Sequence, residues 1–476
     1  MLSCFKNLKS HAVGDDNIQL KFLKIIFPYI LSPLTHIINH CFTTSCFPRQ
    51  WKTGLVIPIP KKPSAVQKND FRPITILPCL SKIIEKIIEQ QIAEFFDQNS
   101  LLSEVQSGFR PKHSCATALM KIVDDILLAY DNNELILLCL LDFSKAFDSI
   151  VHKMLLKKLR DFYNFDHTAI KLIESYLEKR SQRVKVGNNI SNPKSISCGV
   201  PQGSILGPLL FSIYLNDLFS VCENVSMHAY ADDVQIYISR PPGLIEDLCC
   251  RMSEDLAAIS NWARLNGLSL NTNKSCILPI KRTGVHFDEL PNITLNSDNL
   301  KLVDKVSNLG FVLNSTLTPC DHVNNVVKRI YYTLRTLRLS ASYTPFEVRK
   351  RLALQLIMPI ISYAETVYCK LDSASMHKLQ VAFNHVTRYV FGVDNFDHIS
   401  PWSKSLLGVS LQEYFDMRNC LFLHNLVYNR TPNYLYKKIE FLSCNRSKLI
   451  SVRMHNYKNT SRHFFITTIR IWNGLP

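Results

Sequence analysis

The stretch HAYADDVQIY (residues 228–237) sets two aspartates side by side between strand-forming residues. Val234–Ile238 is mostly apolar, with Gln235 between, as a strand in a core requires. Adjacent carboxylates repel, and each raises the other's pKa unless a cation or a donor lies between them. Two readings fit these ten residues. Ala-Asp-Asp suits the solvated tip of a hairpin, because Asp favours turns. It also suits one wall of an acidic site built to hold a cation.

A second acidic position lies upstream. ELILLCLLDF (134–143) is a nearly continuous apolar run, the pattern of a buried central strand. It ends in LLDFSKAFDSI (140–150), so Asp142 falls where the strand emerges, a costly place for a lone charge. Asp142 reads either as the N-cap of the turn that follows or, beside Asp232 and Asp233, as the third member of a carboxylate cluster. Such a cluster is unstable empty and stable around divalent cations. Mg2+ accepts a few carboxylates and completes its shell with substrate phosphates. Two ions roughly 3.5–4 Å apart clamp the attacking and leaving oxygens of a phosphoryl transfer.

Between these acids lies CGVPQGSILGPLLF (198–211). Gly199, Gly203 and Gly207 let backbone approach a base or sugar closely, and Gln202 adds an amide that can touch a template–nucleotide pair. A glycine-punctuated loop ahead of a helix reads the same way.

The whole chain narrows the choice. Its 476 residues suffice for two to four cooperating structural units. With 55 Lys and Arg against 39 Asp and Glu, the formal charge is +16, which points to a polyanionic partner, nucleic acid before membrane. After residue 320 there are 21 Lys and Arg against 9 Asp and Glu, so most of the excess lies in the last third. The 15 cysteines are scattered with no Cys-x-x-Cys pair, as free thiols in a reducing compartment would be, and no zinc knuckle is visible. The opening MLSCFKNLKSHAVGDD lacks the apolar core of a signal peptide. FLKIIFPYILSPLTHII (22–38) is interrupted by Lys24, Pro28, Pro33 and His36, which favours packed helices over a membrane span. The expectation is a soluble, intracellular protein of the cytoplasm or nucleus.

Periodicity predicts helix over 18–47, cut in two by the prolines, then a strand in WKTGLVIPIPKKPS (51–64). Amphipathic helices follow at 81–98 and 115–132, with helix again across 153–180. RVKVG (183–187) alternates as a strand, and 200–218 begins as loop and becomes helix. Residues 247–267 form a helix closed by Gly267, and beyond 320 the pattern is helical and basic, as in 326–338 and 347–365. The order implies an α+β fold, a mixed core around an antiparallel sheet with a helical appendage.

In sequence, DFSKAFD, GVPQGS, YADD, GLSLNTNKS (267–275) and LGFVL (309–313) resemble the successive motifs of reverse transcriptases. WKTGLVIPIPKK (51–62), NDFRPITILPCLSKIIEKII (69–88), QSGFRPKHSCATAL (106–119) and HFFITTIRIWNGLP (463–476) narrow the resemblance to non-LTR, LINE-type retrotransposon polymerases, jockey-like or related. The resemblance implies a right-hand polymerase fold: a helical lead-in over 1–50, fingers over 51–132, a palm with an antiparallel sheet over 133–320, and a helical, basic thumb and extension over 321–476. It implies an RNA-directed DNA polymerase that takes an RNA template, a DNA primer and dNTPs, with two Mg2+ ions, Mn2+ being the alternative.

By the same resemblance Asp142 and Asp232 ligate the metals and Asp233 completes the acidic cluster. Phe147 abuts the sugar 2′ position and excludes a 2′-hydroxyl, though a phenylalanine after a strand also suits a core. Arg72, in FRPI, grips the triphosphate through its bidentate fork, with Lys61 and Lys62 as further basic candidates. Gln202 and Gly203 line the nucleotide. Lys274 corresponds to a lysine proposed to protonate the departing pyrophosphate. The primer 3′-hydroxyl, acidified by one metal, attacks the α-phosphate while the other neutralises the leaving group. The basic helices after 320 hold the duplex by its phosphates, which makes binding steeply salt-dependent.

Elements of this kind often carry an endonuclease ahead of the polymerase. About fifty residues precede the first fingers motif, and none resembles a nuclease site, so this chain is expected to polymerise without nicking its target. Family members commonly continue past the point where this sequence ends, which makes it either a fragment of a larger element or a truncated copy. Two rivals stand beside the lead reading. One is another palm enzyme, an intron maturase or a viral RNA polymerase, of which the latter would not need bulk at Phe147. The other is a domesticated copy that binds RNA without catalysis, against which the retention of all three aspartates, Gln202 and Arg72 speaks.

Overall fold

Leu20, Leu23, Phe27, Leu34, Ile38 and Cys41 recur at helical spacing and are buried along one side of a single helix, α1 (Leu20–Thr44). The expected break does not occur: Pro28 and Pro33 both lie inside α1. Each proline removes one N–H, but the buried stripe runs past both and anchors the turns on either side. Being continuous, α1 is long and apolar enough by length and composition to cross a membrane, a test that core helices of soluble proteins also pass. The structure, a computed structural model, describes residues 5, 8, 12–281, 290–402, 404–442, 449–455 and 463–475. Part of the opening MLSCFKNLKSH, together with Pro476, therefore lies outside the described residues.

The chain continues with β1 (Thr53–Pro60), β2 (Phe71–Ile76), α2 (Cys79–Gln98), α3 (Cys115–Asp131) and β3 (Leu135–Leu141). Next come α4 (His152–Asp161), α5 (His167–Leu177), β4 (Arg180–Val186), β5 (Asn189–Ile190), β6 (Lys194–Ile196) and α6 (Gly207–Leu215). The acidic hairpin is β7 (Ser226–Tyr230) and β8 (Asp233–Arg240), followed by α7 (Ile245–Leu265) and β9 (Cys276–Ile280). Short strands follow at β10 (Thr294–Leu295), β11 (Asp298–Asn299), β12 (Lys301–Leu302), β13 (Lys305–Asn308) and β14 (Phe311–Asn314). The rest is helical: α8 (Cys320–Arg338), α9 (Phe346–Leu352), α10 (Met358–Ile361), α11 (Ser373–Phe391), α12 (Leu411–Asn429), α13 (Asn433–Tyr436) and α14 (Phe464–Asn473). The helix expected across 347–365 is interrupted by a π turn at Ala353–Ile357 and ends at Ile361.

Two compact units divide the chain, one of residues 1–109, 142–223 and 256–271, the other of 110–141, 224–255 and 272–476. In the first unit β1 is central, antiparallel to β2 and parallel to β4, with β5 and β6 on β4. The RVKVG strand thus pairs with the WKTGLVIP strand, Thr53 facing Ser181.

The second unit is built on a sheet of order β12-β9-β3-β8-β7. β3 is antiparallel to both β8 and β9, and only the edge strand β12 runs parallel to its neighbour. Leu137, Leu138 and Cys139 are fully buried, which is why β3 reads as an unbroken apolar run. Each such leucine contributes about 1.5–3 kcal/mol of burial free energy. The C-terminal helices are no appendage within this unit. Ile330 and Leu334 of α8 and Phe383 and Val386 of α11 share one core with Leu119 and Ile122 of α3, Leu138 of β3 and Leu278 of β9.

Candidate active site

The hairpin expected around Asp232 and Asp233 forms. Tyr230 pairs with Asp233, leaving Ala231 and Asp232 as a two-residue turn. Ala231 takes the left-handed conformation, φ 59°, which costs a residue with a Cβ roughly 1–2 kcal/mol. Strain of this kind persists where the surroundings impose it, and Ala231 is buried. Asp232 beside it is half-buried, and Asp233 is exposed. The flank is core: Val234, Gln235, Ile236, Tyr237 and Ile238 are all buried, with Gln235 donating to Asn308 Oδ1 at 3.1 Å. His228, at the hairpin's start, is fully buried, and burial lowers its pKa to about 3, so it is neutral.

The β3–β8 register ends with Leu141 opposite Val234. Asp142 follows Leu141 and Asp233 precedes Val234, so both residues adjoin the same end of the ladder. Asp142 is half-buried, and its carbonyl accepts from Asn271 N–H at 2.8 Å. Phe143 bridges Leu270, and Ser144 N–H donates to the Ser269 carbonyl at 2.8 Å. The GLSLN segment therefore lies along the start of DFSKAFD.

Lys145, at φ 50°, turns the chain into a short 3-10 helix, Ala146–Asp148. Phe147 stacks on Phe211 of α6 with centroids 4.3 Å apart and meets Phe109 edge-on at 6.0 Å. It is half-buried, so two neighbours fix its ring without submerging it. The Asp148 carboxylate accepts from Gln202 Nε2 at 3.0 Å. Burial raises the Asp148 pKa, and that hydrogen bond opposes the rise.

The glycines serve the protein's own packing. A Cβ on Gly203, at φ 125°, would lie 2.4 Å from the Thr75 carbonyl oxygen, and one on Gly199 would lie 2.7 Å from the Asp148 backbone. Thr75 N–H in turn donates to the Gln202 carbonyl at 2.7 Å. The GVPQGS loop is thus clamped between β2 and the turn that follows β3.

β2 also carries Arg72, opposite Ile59. Arg72 is exposed and makes no hydrogen bond or ion pair among the described residues. Lys61 Nζ donates to the Asn69 carbonyl at 2.8 Å, and Lys62 pairs with Asp70 at 2.9 Å, so both lysines brace the turn before β2. Lys274 is exposed in the loop ahead of β9.

Two residues escaped the sequence reading. One is Asp148, within the quoted DFSKAFD. The other is Glu85 on α2, fully buried, which accepts from Ser81 Oγ at 2.7 Å and from the Ile205 and Leu206 N–H groups at 2.9 and 3.4 Å. It satisfies free N–H groups at the start of α6. A Ser and a Glu four apart on the apolar side of an amphipathic helix were its only signal.

Among the described residues no three His, Cys, Asp or Glu side chains gather closely enough to hold a metal by themselves. The donors still fit Mg2+, which takes one or two carboxylates and draws its other ligands from water and substrate phosphates. Asp142, Asp232 and Asp233 are hard oxygen donors, and none of them is buried.

An antiparallel sheet with Asp-Asp at a hairpin tip and a third aspartate leaving its central strand is the palm of a nucleic-acid polymerase. Residues 59–312, more than half of the chain, match the family described as reverse transcriptase (RNA-dependent DNA polymerase), and the chain belongs to that family. It is 29% identical over 409 residues to the probable RNA-directed DNA polymerase from transposon X-element of Drosophila melanogaster, covering 81% of this chain and 42% of that protein. It is 26% identical over 408 residues to the RNA-directed DNA polymerase from mobile element jockey of the same species, covering 82% and 42%. The probable RNA-directed DNA polymerase from transposon BS gives 27% over 396 residues, with 79% and 42% covered. The chain spans less than half the length of these relatives.

Proposed function

We propose that this chain is the polymerase part of a non-LTR retrotransposon protein and extends a DNA primer on an RNA template. Family membership supports this, and one observation carries it: the register that brings Asp142 and Asp233 to the same end of the β3–β8 ladder, with Asp232 in the adjoining turn. Asp142 and Asp232 would hold Mg2+, with Asp233 adding charge. When bound, the metal supplies Lewis-acid stabilisation of the oxyanions in phosphoryl transfer.

The other roles belong to the chain's own side chains. Phe147, fixed by Phe211 and Phe109, presents ring bulk where a ribose 2′-hydroxyl would stand. Arg72 offers an uncommitted guanidinium to the triphosphate. Gln202 and Gly203 shape the nucleotide's surroundings through a loop pinned to Thr75. Lys61, braced on its turn, is a secondary phosphate contact, and Lys274 a proton donor to the leaving group. We assign fingers to 51–132, palm to 133–320 and a duplex-holding thumb to the basic helices beyond, acting within the cell, where RNA templates and DNA primers meet.

Purified protein with Mg2+, an RNA template, a DNA primer and dNTPs should extend the primer, and Asp232→Asn should abolish extension while primer–template binding survives. Wild-type protein that binds primer–template without extending it would overturn the polymerase reading in favour of a binding module.

A further inference from the structure

Within the first unit, α1, α5 and the segment around Cys46–Lys52 enclose a cleft of about 780 Å³. Its lining carries Arg49, Lys52, Lys171 and Lys179 against Glu174 and Glu178. Arg49, Lys171 and Lys179 are exposed. Lys52 is different: it is only 7% exposed, yet it lines the cleft, and its ammonium has no hydrogen-bond or ion-pair partner among the described residues.

Its surroundings make that position unfavourable for a charge. Burial lowers the Lys52 pKa, and the neighbouring Arg180 pushes it the same way. Arg180 is itself 2% exposed. Its Nη1 donates to the Tyr176 carbonyl at 2.9 Å, while Nε and Nη2 have no partner among the described residues. Glu178, exposed at the chain's nearby turn, acts on Lys52 less than burial and Arg180 do. Arg180 sits over the Tyr176 ring at 4.7 Å, but among the described residues no carboxylate pairs with it or with Lys52, and an incoming anion relieves this excess of positive charge.

We infer that this cleft is a second anion site that binds a phosphate of a nucleic-acid strand, with Lys52 as the buried contact and Arg49, Lys171 and Lys179 on flanking phosphates. A strand fits better than a free anion, because the cleft exceeds the volume of one phosphate and three of its four cations stand exposed around the buried one. None of the residues assigned to catalysis lines it. The inference therefore stands apart from the polymerase reading, and its test needs neither dNTP nor metal.

The test is the binding of a fluorescein-labelled single-stranded RNA dodecamer by the full chain, followed by anisotropy across a salt series without Mg2+. Lys52→Met should weaken binding about three- to tenfold at low salt and flatten the slope of log K against log salt by about 0.7–1. Its unfolding midpoint should not fall, since a cation with no ion-pair partner among the described residues has been removed. Lys171→Glu and Lys179→Glu, both exposed, should weaken RNA binding in the same direction without touching the core. Wild-type affinity and slope in all three variants would overturn the proposal. So would stabilisation of wild type by inorganic phosphate with the RNA slope unchanged in Lys52→Met, which would assign the cleft to a small free anion.

Discussion

The side-chain amide of Gln202 donates to the Asp148 carboxylate at 3.0 Å, tying the GVPQGS loop to the turn that follows β3. Replacing the amide by a carboxylate should convert this tie into a repulsion. Gln202→Glu is expected to destabilise the first unit by about 1–3 kcal/mol at pH 7.5, the cost of losing a partner to a charged group. In the variant one of the two facing carboxyls would have its folded pKa raised, so its contribution is present at low pH and lost as pH rises. The deficit in urea midpoint relative to wild type should therefore shrink between pH 7.5 and 5. A deficit that stays constant with pH would show that the two side chains do not share a site.

Phe147 owes its fixed orientation to Phe211, stacked at 4.3 Å and inclined by 20°. If its ring stands at the sugar 2′ position, Phe147→Ala should raise ribonucleotide incorporation relative to deoxynucleotide in primer extension. Phe211→Leu should do so more weakly, because it loosens the ring without removing it. Competition between dNTP and NTP at fixed primer–template reads the effect. An unchanged ratio in Phe147→Ala would remove this residue from its assigned role and leave it a packing residue.

Acid should unfold the second unit early. His228, His322 and His463 are buried there, and burial lowers their pKa values to about 3, about 4 and about 4. A folded pKa below the unfolded value of about 6.5 means that the unfolded chain binds more protons. The stability these neutral histidines confer is whole above that value and is lost as pH falls toward 4. Each adds a slope approaching 1.4 kcal/mol per pH unit, at about pH 5. Urea midpoints followed by the histidine-bearing unit's fluorescence should fall steeply from pH 7 to 5. A midpoint flat across that range would show that these rings are solvated.

Much of the fold is written locally. The helices expected at 81–98 and 115–132 occur at Cys79–Gln98 and Cys115–Asp131, and the apolar run 134–143 is the central strand β3. Each is declared by its own periodicity and burial pattern. Pairing across distance is not. Nothing in RVKVG announces that β4 lies parallel to β1, more than a hundred residues upstream. The prolines of α1 misled for a related reason, since a buried stripe formed with residues elsewhere overrode a local breaker. In the site, residue types and order made the aspartates, Gln202 and Phe147 legible as chemistry. The partners were not legible: Gly203 clears the Thr75 carbonyl, and Gly199 clears the Asp148 backbone. Those contacts join segments whose spacing in sequence carries no signal.

The C-terminal segment is fastened to α3 by buried charge. Asp124, 1% exposed, accepts from Arg453 at 2.9 Å, from His463 at 3.2 Å and from Lys438. Asp125 pairs with Lys438 at 2.5 Å, with Lys121, and with the Tyr237 hydroxyl of β8. Burial opposes ionisation of Asp124, but the Lys438 and Arg453 cations and the His463 N–H outweigh it and hold its pKa below the usual value. The His463 ring is neutral at pH 7 and acts as a hydrogen-bond donor to Asp124 rather than as a cation. Breaking such a cluster from one side strands the other. Asp124→Ala should cost about 3–5 kcal/mol, because Lys438 and Arg453 would stay near each other without their carboxylate. Arg453→Met, which removes a cation 29% exposed at its side chain, should cost much less. Because Asp124 shares the core of the sheet's helix α3, its loss should lower the global midpoint and not only free the last segment. Proteolysis would separate these outcomes. Cleavage confined to residues beyond 438 with an unchanged global midpoint would show that the network fastens only the terminal segment, and that the unit's stability does not run through Asp124.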